Sequence, residues 1–230
     1  MRVFTGIKTA TEQVSTKLNN QLVTRNELSL VFRYRKNKYL RSLLRSLSTI
    51  VNCEAFMALP SAVSSLLSSA PAIGFSGSRS SVPRACGFVA AVVPAGVPVF
   101  VGCASGVDEF FRGAFPSARV FSVASFGSGR GAFAARSVAV VRAVESAGGV
   151  WVSFPSGPCP SGLAPSASSS RAFCGAGSGS WASLAFAVGL GLPCLVGGFA
   201  PPAVWGFSSL GCGWWFRCAP VPAGVQLSLF

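Results

Sequence analysis

Four short stretches hold the residue types that could recognise a ligand: "GSR" (77–79), "GCASGVD" (102–108), "SFGSGRG" (125–131) and "GAGSGSW" (175–181). Gly/Ser turns of this kind form nests of backbone N–H groups that accept anions. Gly77, Gly102, Gly106, Gly177 and Gly179 let a backbone come close to a ligand, and Ser78, Ser105 and Ser180 add hydroxyls. Arg79, Arg130 and Arg136 supply planar forks that match phosphate or carboxylate oxygens in pairs. Asp108 is the acid within these stretches, and it could accept a hydrogen bond from a ribose hydroxyl or a base. The chemistry indicated is anion recognition, with a nucleotide-type ligand first. Plainer roles compete: Asp108 and Glu109 could simply complement a helix dipole, and Arg136 could lie on a solvated helix face.

These stretches do chemistry together only if the fold brings them to one place. From Pro71 onward, apolar runs alternate with helix-compatible segments. The strands expected are "AIGFSG" (72–77), "VPVFVG" (97–102), "RVFSVA" (119–124), "VWVSF" (150–154) and "PCLVG" (193–197). Helices are expected over 84–95, 107–115, 132–148 and 180–189, the third stopped by Gly148 and Gly149. Near-continuous apolar strands, each followed by a helix, call for an α/β fold: a parallel sheet with helices on both faces, in three layers. In such a sheet ligands bind beyond the carboxyl ends of the strands, which is where all four stretches fall.

Composition divides the chain. Lys, Asn, Thr and Tyr occur before residue 53 and not after it. Of the nineteen cationic residues, ten precede residue 57, and the nine that follow are all arginine. We read residues 1–56 as a basic extension, partly helical or disordered, or an upstream stretch read through from an earlier start codon. The function-bearing unit then begins at Met57 and runs to residue 198, and residues 199–230 form a Gly/Pro/Trp-rich tail without assignable elements. Within the extension, Leu40, Leu43, Leu44, Leu47 and Val51 share one helical stripe beside Arg41 and Arg45. That stripe suits either packing on the main domain or contact with nucleic acid or a membrane surface.

The net charge of +13 favours anionic partners without choosing among them. There is no histidine, and the eight cysteines contain no Cys-x-x-Cys pair, so no metal or other cofactor is expected. The thiols read as reduced, mostly buried small hydrophobes of a cytoplasmic protein. A membrane reading rests on residues 172–216, which carry no charge, and on "WASLAFAVGLGLPCLVGGFA" (181–200), about one bilayer span long. Gly189, Gly191 and Pro193 interrupt that run where a helix would give way to a strand.

"GFSGSR", "VFVGCASGVD", "GRGAFAARS" and "GSGSWASLAFAVGLGLPCLV", in that order over roughly residues 71–198, resemble the successive motifs of the SLOG superfamily. That group includes the DNA-processing DprA proteins and the LOG phosphoribohydrolases. The resemblance implies a Rossmann-like sheet that binds nucleotides, nucleotide-derived signals or single-stranded DNA. "GSR" resembles the anion turn of the first strand, "ASGVD" the turn of the second, and Arg136 the arginine of the following helix. The hydrolases carry Gly-Gly-x-Gly-Thr-x-x-Glu. Here Ser180 stands at the Thr position and Ser183 at the Glu position, so the carboxylate implied for glycosidic cleavage is missing. Asp108 and Glu109 are the acid/base groups left nearby.

The leading expectation is therefore a soluble nucleotide-binding protein of SLOG type, a sensor or a mobile-element accessory, favouring binding over hydrolysis and open to homo-oligomerisation. Alternatives are a DprA-like single-strand DNA binder, a nucleoside-monophosphate glycosidase using Asp108, and a membrane protein. DNA binding would call on Trp181, Trp205, Trp214 and Trp215 as stacking platforms.

Overall fold

The period-two alternation of β-strands sorts the apolar side chains of this chain onto two faces of one sheet. The computed structural model describes residues 59–219. The basic extension, its leucine stripe and Met57 lie outside the described residues. Seven strands form the sheet: β1 (Ile73–Gly77), β2 (Val99–Gly102), β3 (Arg119–Phe121), β4 (Val150–Phe154), β5 (Cys194–Gly197), β6 (Ser208–Gly211) and β7 (Trp214–Arg217). Their order is β3-β2-β1-β4-β5-β7-β6. The first five are parallel, and β7 pairs antiparallel with both β5 and β6.

On one face, Ile73, Phe75, Val101, Val152, Phe154 and Leu195 pack against α1 (Ser61–Ser68), α2 (Ala85–Val92) and α3 (Val107–Ala114). Phe75 stacks on Phe111 of α3, with ring centroids 3.7 Å apart. On the other face, Phe100, Trp151, Cys194 and Val196 pack against α4 (Gly129–Ser146) and α6 (Gly179–Gly189), with the single turn α5 (Ser169–Ala172) beside them. The result is an α/β fold with a mostly parallel open sheet and helices on both faces.

Two expectations are corrected. The sheet is not wholly parallel, because the segment left without elements supplies β6 and β7. Trp214 is buried there, edge-on to Phe154 at 5.7 Å, and so belongs to the core. The cysteines are not mostly buried: of seven described, all free, Cys86 and Cys194 are buried while Cys174, Cys212 and Cys218 are exposed. Burial pushes the Cys86 thiol up to about 12, in keeping with a small hydrophobe there.

Element boundaries follow local rules. α4 begins at Gly129, three residues before the expected start, and ends at Ser146, with Gly148 just beyond it at a φ of +63° as a left-handed stop. Residues 119–124 give only a three-residue edge strand, which passes into a 3-10 turn at Val123–Phe126. The 181–200 run divides into the end of α6, a turn and β5, and among the described residues no helix is long and apolar enough to cross a membrane.

Candidate functional site

The strand order turns around β1, with β2 on one side and β4 on the other, and a crevice opens at such a point beyond the strand ends. A cavity of about 280 Å3 lies there. β1 and its turn contribute Ser76, Gly77, Ser78 and Arg79; α3 contributes Asp108, α4 Arg136 and Ser137, β4 Trp151, and α6 Gly179, Ser180 and Ser183. Residues from three of the four stretches named from sequence, together with Arg136, thus meet in one place.

The turn after β1 is held from within. The Ser78 N–H donates to Phe154 O at 2.9 Å, and the Ser78 hydroxyl accepts the N–H groups of Ser80 and Ser81 at 3.2 and 3.1 Å. Ser78 therefore shapes the turn, and its N–H is already committed. Gly77 lines the cavity, and a Cβ there would press on Val107 and on Phe154 O. Arg79 is exposed, with its guanidinium 5.0 Å from the centre of the Phe133 ring.

The second stretch braces this turn. Ser105 Oγ donates to Arg79 O at 2.9 Å, and Val107 N–H to Ser78 O at 2.9 Å. Gly106, at φ +72°, allows the chain to pass so close that a Cβ would overlap Ser78 O. Ser105 and Gly106 join the two turns rather than line the cavity. Gly102 leaves room for an arginine, since a Cβ on it would fall on Nη1 of Arg136. Arg112 fixes the same turn by donating to the carbonyls of Gly102 and Ala104, both at 2.9 Å.

Arg136 is the cation at the base of the cavity. Its Nη1 donates to Asp108 Oδ2 at 3.0 Å, and both residues are buried. Ala104 N–H also donates to Asp108 Oδ2, at 3.3 Å. Burial pushes the Asp108 carboxyl above its ordinary value, while Arg136, the Ala104 N–H and Arg112 pull the other way. Arg136 Nε and Trp151 Nε1 are buried without a hydrogen-bond partner. A buried donor left unmade is costly, so the pair suits an incoming acceptor.

The opposite wall is the N-terminus of α6. Gly179, Ser180 and Trp181 open that helix, so their N–H groups have no partner within it. Ser178, the N-cap, makes no capping bond to the backbone, and its hydroxyl pairs with that of Ser180 at 2.7 Å. The Ser183 hydroxyl donates to Gly179 O at 2.8 Å. A chain of hydroxyls ties this wall to the sheet: Ser76 Oγ donates to Ser153 Oγ at 3.2 Å, and Ser153 Oγ to Ser180 O at 3.5 Å. Free N–H groups, an aligned helix dipole and a buried guanidinium are the groups with which helix N-termini accept anions.

Two further sequence candidates, Glu109 and Gly177, lie outside the cavity. Glu109 is exposed. Arg130 stands in the first turn of α4, and Gly177 lines a neighbouring cleft. Trp181, Trp205 and Trp214 are buried in the two cores and present no face to nucleic acid. Sequence reasoning missed Trp151, Ser76, Ser137 and Ser178. A signal existed for two of them: alternation within "GFSG" and "VWVSF" puts Ser76 and Trp151 on the α4/α6 face. Compared with protein-family models, with curated proteins and with solved structures, the chain matches none.

Proposed function

We propose that this chain is a nucleotide-binding protein whose cavity at the β1/β4 crevice holds the phosphate of a nucleotide or nucleotide derivative, as the resemblance to the SLOG superfamily and its Rossmann-like sheet implies. The observation that carries this reading is the pair of buried donors without partners, Arg136 Nε and Trp151 Nε1, in the same cavity as the open N-terminus of α6. A phosphate oxygen would satisfy the donors that the protein leaves unmade. Binding is favoured over glycosidic cleavage. Asp108 already faces Arg136, and the Ser183 hydroxyl is engaged with its own helix.

The test is a thermal-shift panel of nucleoside mono-, di- and triphosphates. A ligand at about 100 times its Kd stabilises the folded state by about 2.7 kcal/mol, a shift of several degrees. Arg79→Ala is expected to weaken the best ligand by about 10- to 150-fold, the worth of a charge-assisted hydrogen bond. Arg79→Lys recovers part of this, because a point charge cannot reproduce the fork. Arg119→Ala, on the exposed edge strand, is the control. Equal losses from Arg79→Ala and Arg119→Ala, or no shift with any nucleotide, would refute the reading.

A further inference from the structure

β3 ends the sheet order: one side of its backbone pairs with β2, and the other pairs with no strand among the described residues. An open edge offers a row of N–H and C=O groups to an added strand. Side chains alternate along it. Arg119 and Phe121 face α4, while Val120 points to the other side of the sheet and is 46% exposed. Between β3 and α4 runs a groove of about 440 Å3, with Phe100 and Phe121 on the sheet side and Ala139, Arg142 and Ala143 on the helix. It shares no lining residue with the anion cavity. The Arg119 guanidinium lies 5.0 Å from the centre of the Phe121 ring and has no acidic partner among the described residues. Arg142 lies 5.2 Å from the centre of the Phe186 ring and donates from Nη1 to Glu145 at 2.8 Å. A ring face orders a guanidinium without neutralising it, and each guanidinium carries five N–H donors. Both arginines thus keep donors for a partner.

We propose that the β3 edge and this groove bind an acidic, extended segment of another protein. The segment adds as a strand beside β3, with carboxylates on Arg119 and Arg142 and an apolar residue beside Val120. Main-chain hydrogen bonds hold such a strand, and its alternate side chains are read by the surface beneath. Opposite residues of adjacent strands share a face, so the alternation of β3 dictates that of the partner. The groove's two cations set the partner's charge, and the composition of this chain makes the partner a different protein. Residues 1–56 hold ten Lys/Arg against three Glu, and beyond residue 57 the acids are Asp108, Glu109 and Glu145 alone. A second copy would bring the same arginines to the edge, and like charges across strands oppose pairing. A nucleic acid strand would meet the arginines, but it has no alternating amide donors and acceptors for the β3 backbone.

The experiment is fluorescence anisotropy of the full 230-residue chain with the probe fluorescein-Glu-Val-Glu-Val-Glu-Val-Glu-amide, at low salt so that exposed charges are little screened. The probe is expected to bind. Arg119→Ala should weaken it about fivefold, the upper worth of an exposed ion pair. Arg84→Ala removes an equal charge at the exposed start of α2, on the other face of the sheet, and should change nothing. A strand turns every second amide toward its neighbour. N-methylation of one alternate set of probe amides should therefore weaken binding at least about tenfold, the share of about two backbone hydrogen bonds, and methylation of the other set should not. No binding, equal losses from the two arginine variants, or indifference to both methylated sets would overturn the proposal. Displacement of the probe by an oligothymidylate at lower concentration than by unlabelled peptide would give the face to nucleic acid and overturn it too. Self-association of the chain that Arg119→Ala abolishes would give the face to a second copy, with the same consequence. Arg119 lies outside the anion cavity, so this proposal and the nucleotide reading fail separately.

Discussion

Arg136 Nη1 meets Asp108 Oδ2 at 3.0 Å, with both side chains more than nine-tenths buried. Removing one partner of such a pair leaves an uncompensated buried charge and costs about 3–5 kcal/mol. Asp108→Ala is expected to lower the unfolding free energy by about that amount in urea titration. Adding Arg136→Met to it should restore at least half of the loss, because the stranded charge goes too. A double variant no better than Asp108→Ala would show that the pair is not coupled.

The pH dependence follows from the raised Asp108 carboxyl. A group whose folded pKa lies above its unfolded one keeps more protons in the native state between the two values, so stability falls as pH rises through that window. Its contribution is full below the ordinary value of 3.8 and is lost above the folded value. Relative to Asp108→Asn, which does not titrate, the unaltered chain should therefore lose stability as pH rises above the ordinary carboxyl value of 3.8. The opposite slope in denaturation curves would mean that the attraction of Arg136 outweighs desolvation.

Two glycine substitutions should have opposite signs. A Cβ at Gly102 overlaps the Arg136 guanidinium, so Gly102→Ala should destabilise by about 1–3 kcal/mol, as overpacking does, and displace Arg136 from the cavity. At Gly131, in the first turns of α4, a Cβ meets nothing within 4 Å. Gly131→Ala should stabilise by up to about 1 kcal/mol through helix propensity. Thermal melts decide both.

Ser178→Asp separates folding from binding. Aspartate is a preferred N-cap and complements the helix dipole, so the melting temperature should hold or rise. The same charge lines the cavity and repels an anion, so phosphate-bearing ligands should bind at least about tenfold more weakly. Ser178→Asn keeps the cap without the charge and should bind nearly normally. Identical binding by the two variants would remove the helix N-terminus from the site.

Trp214 should prove a core residue. Trp214→Ala is expected to cost about 3–5 kcal/mol, and ending the chain at residue 198 should open the β5 edge and cause self-association in light scattering. A fragment of residues 57–198 that stays monomeric with an unchanged melting temperature would contradict the role given to β7.

The five parallel strands were legible because each is an apolar run between turn residues, as in "VWVSF". The site's location followed from them, because one end of such a sheet collects its Gly/Ser turns. β6 and β7 were not legible. "SSLG" and "WWFR" are too short for alternation to declare itself, and their pairing depends on the exposed edge of β5, a tertiary fact. Gly102 was expected to approach a ligand and instead makes room for Arg136, because spacing along the chain cannot show that a side chain 34 residues away crosses above it. Trp151 was read only as a strand residue, since nothing in the sequence shows that its indole nitrogen lacks a partner.

The hydroxyl chain from Ser76 through Ser153 to Ser180 O joins the two central strands to the first turn of α6. Each link leaves the next one short of a partner if it is lost, in a place water does not reach freely. In descendants of this sequence the serines at 76 and 153 should thus be inherited as a unit. They should be kept together or replaced together by small apolar residues, with single replacements removed by selection.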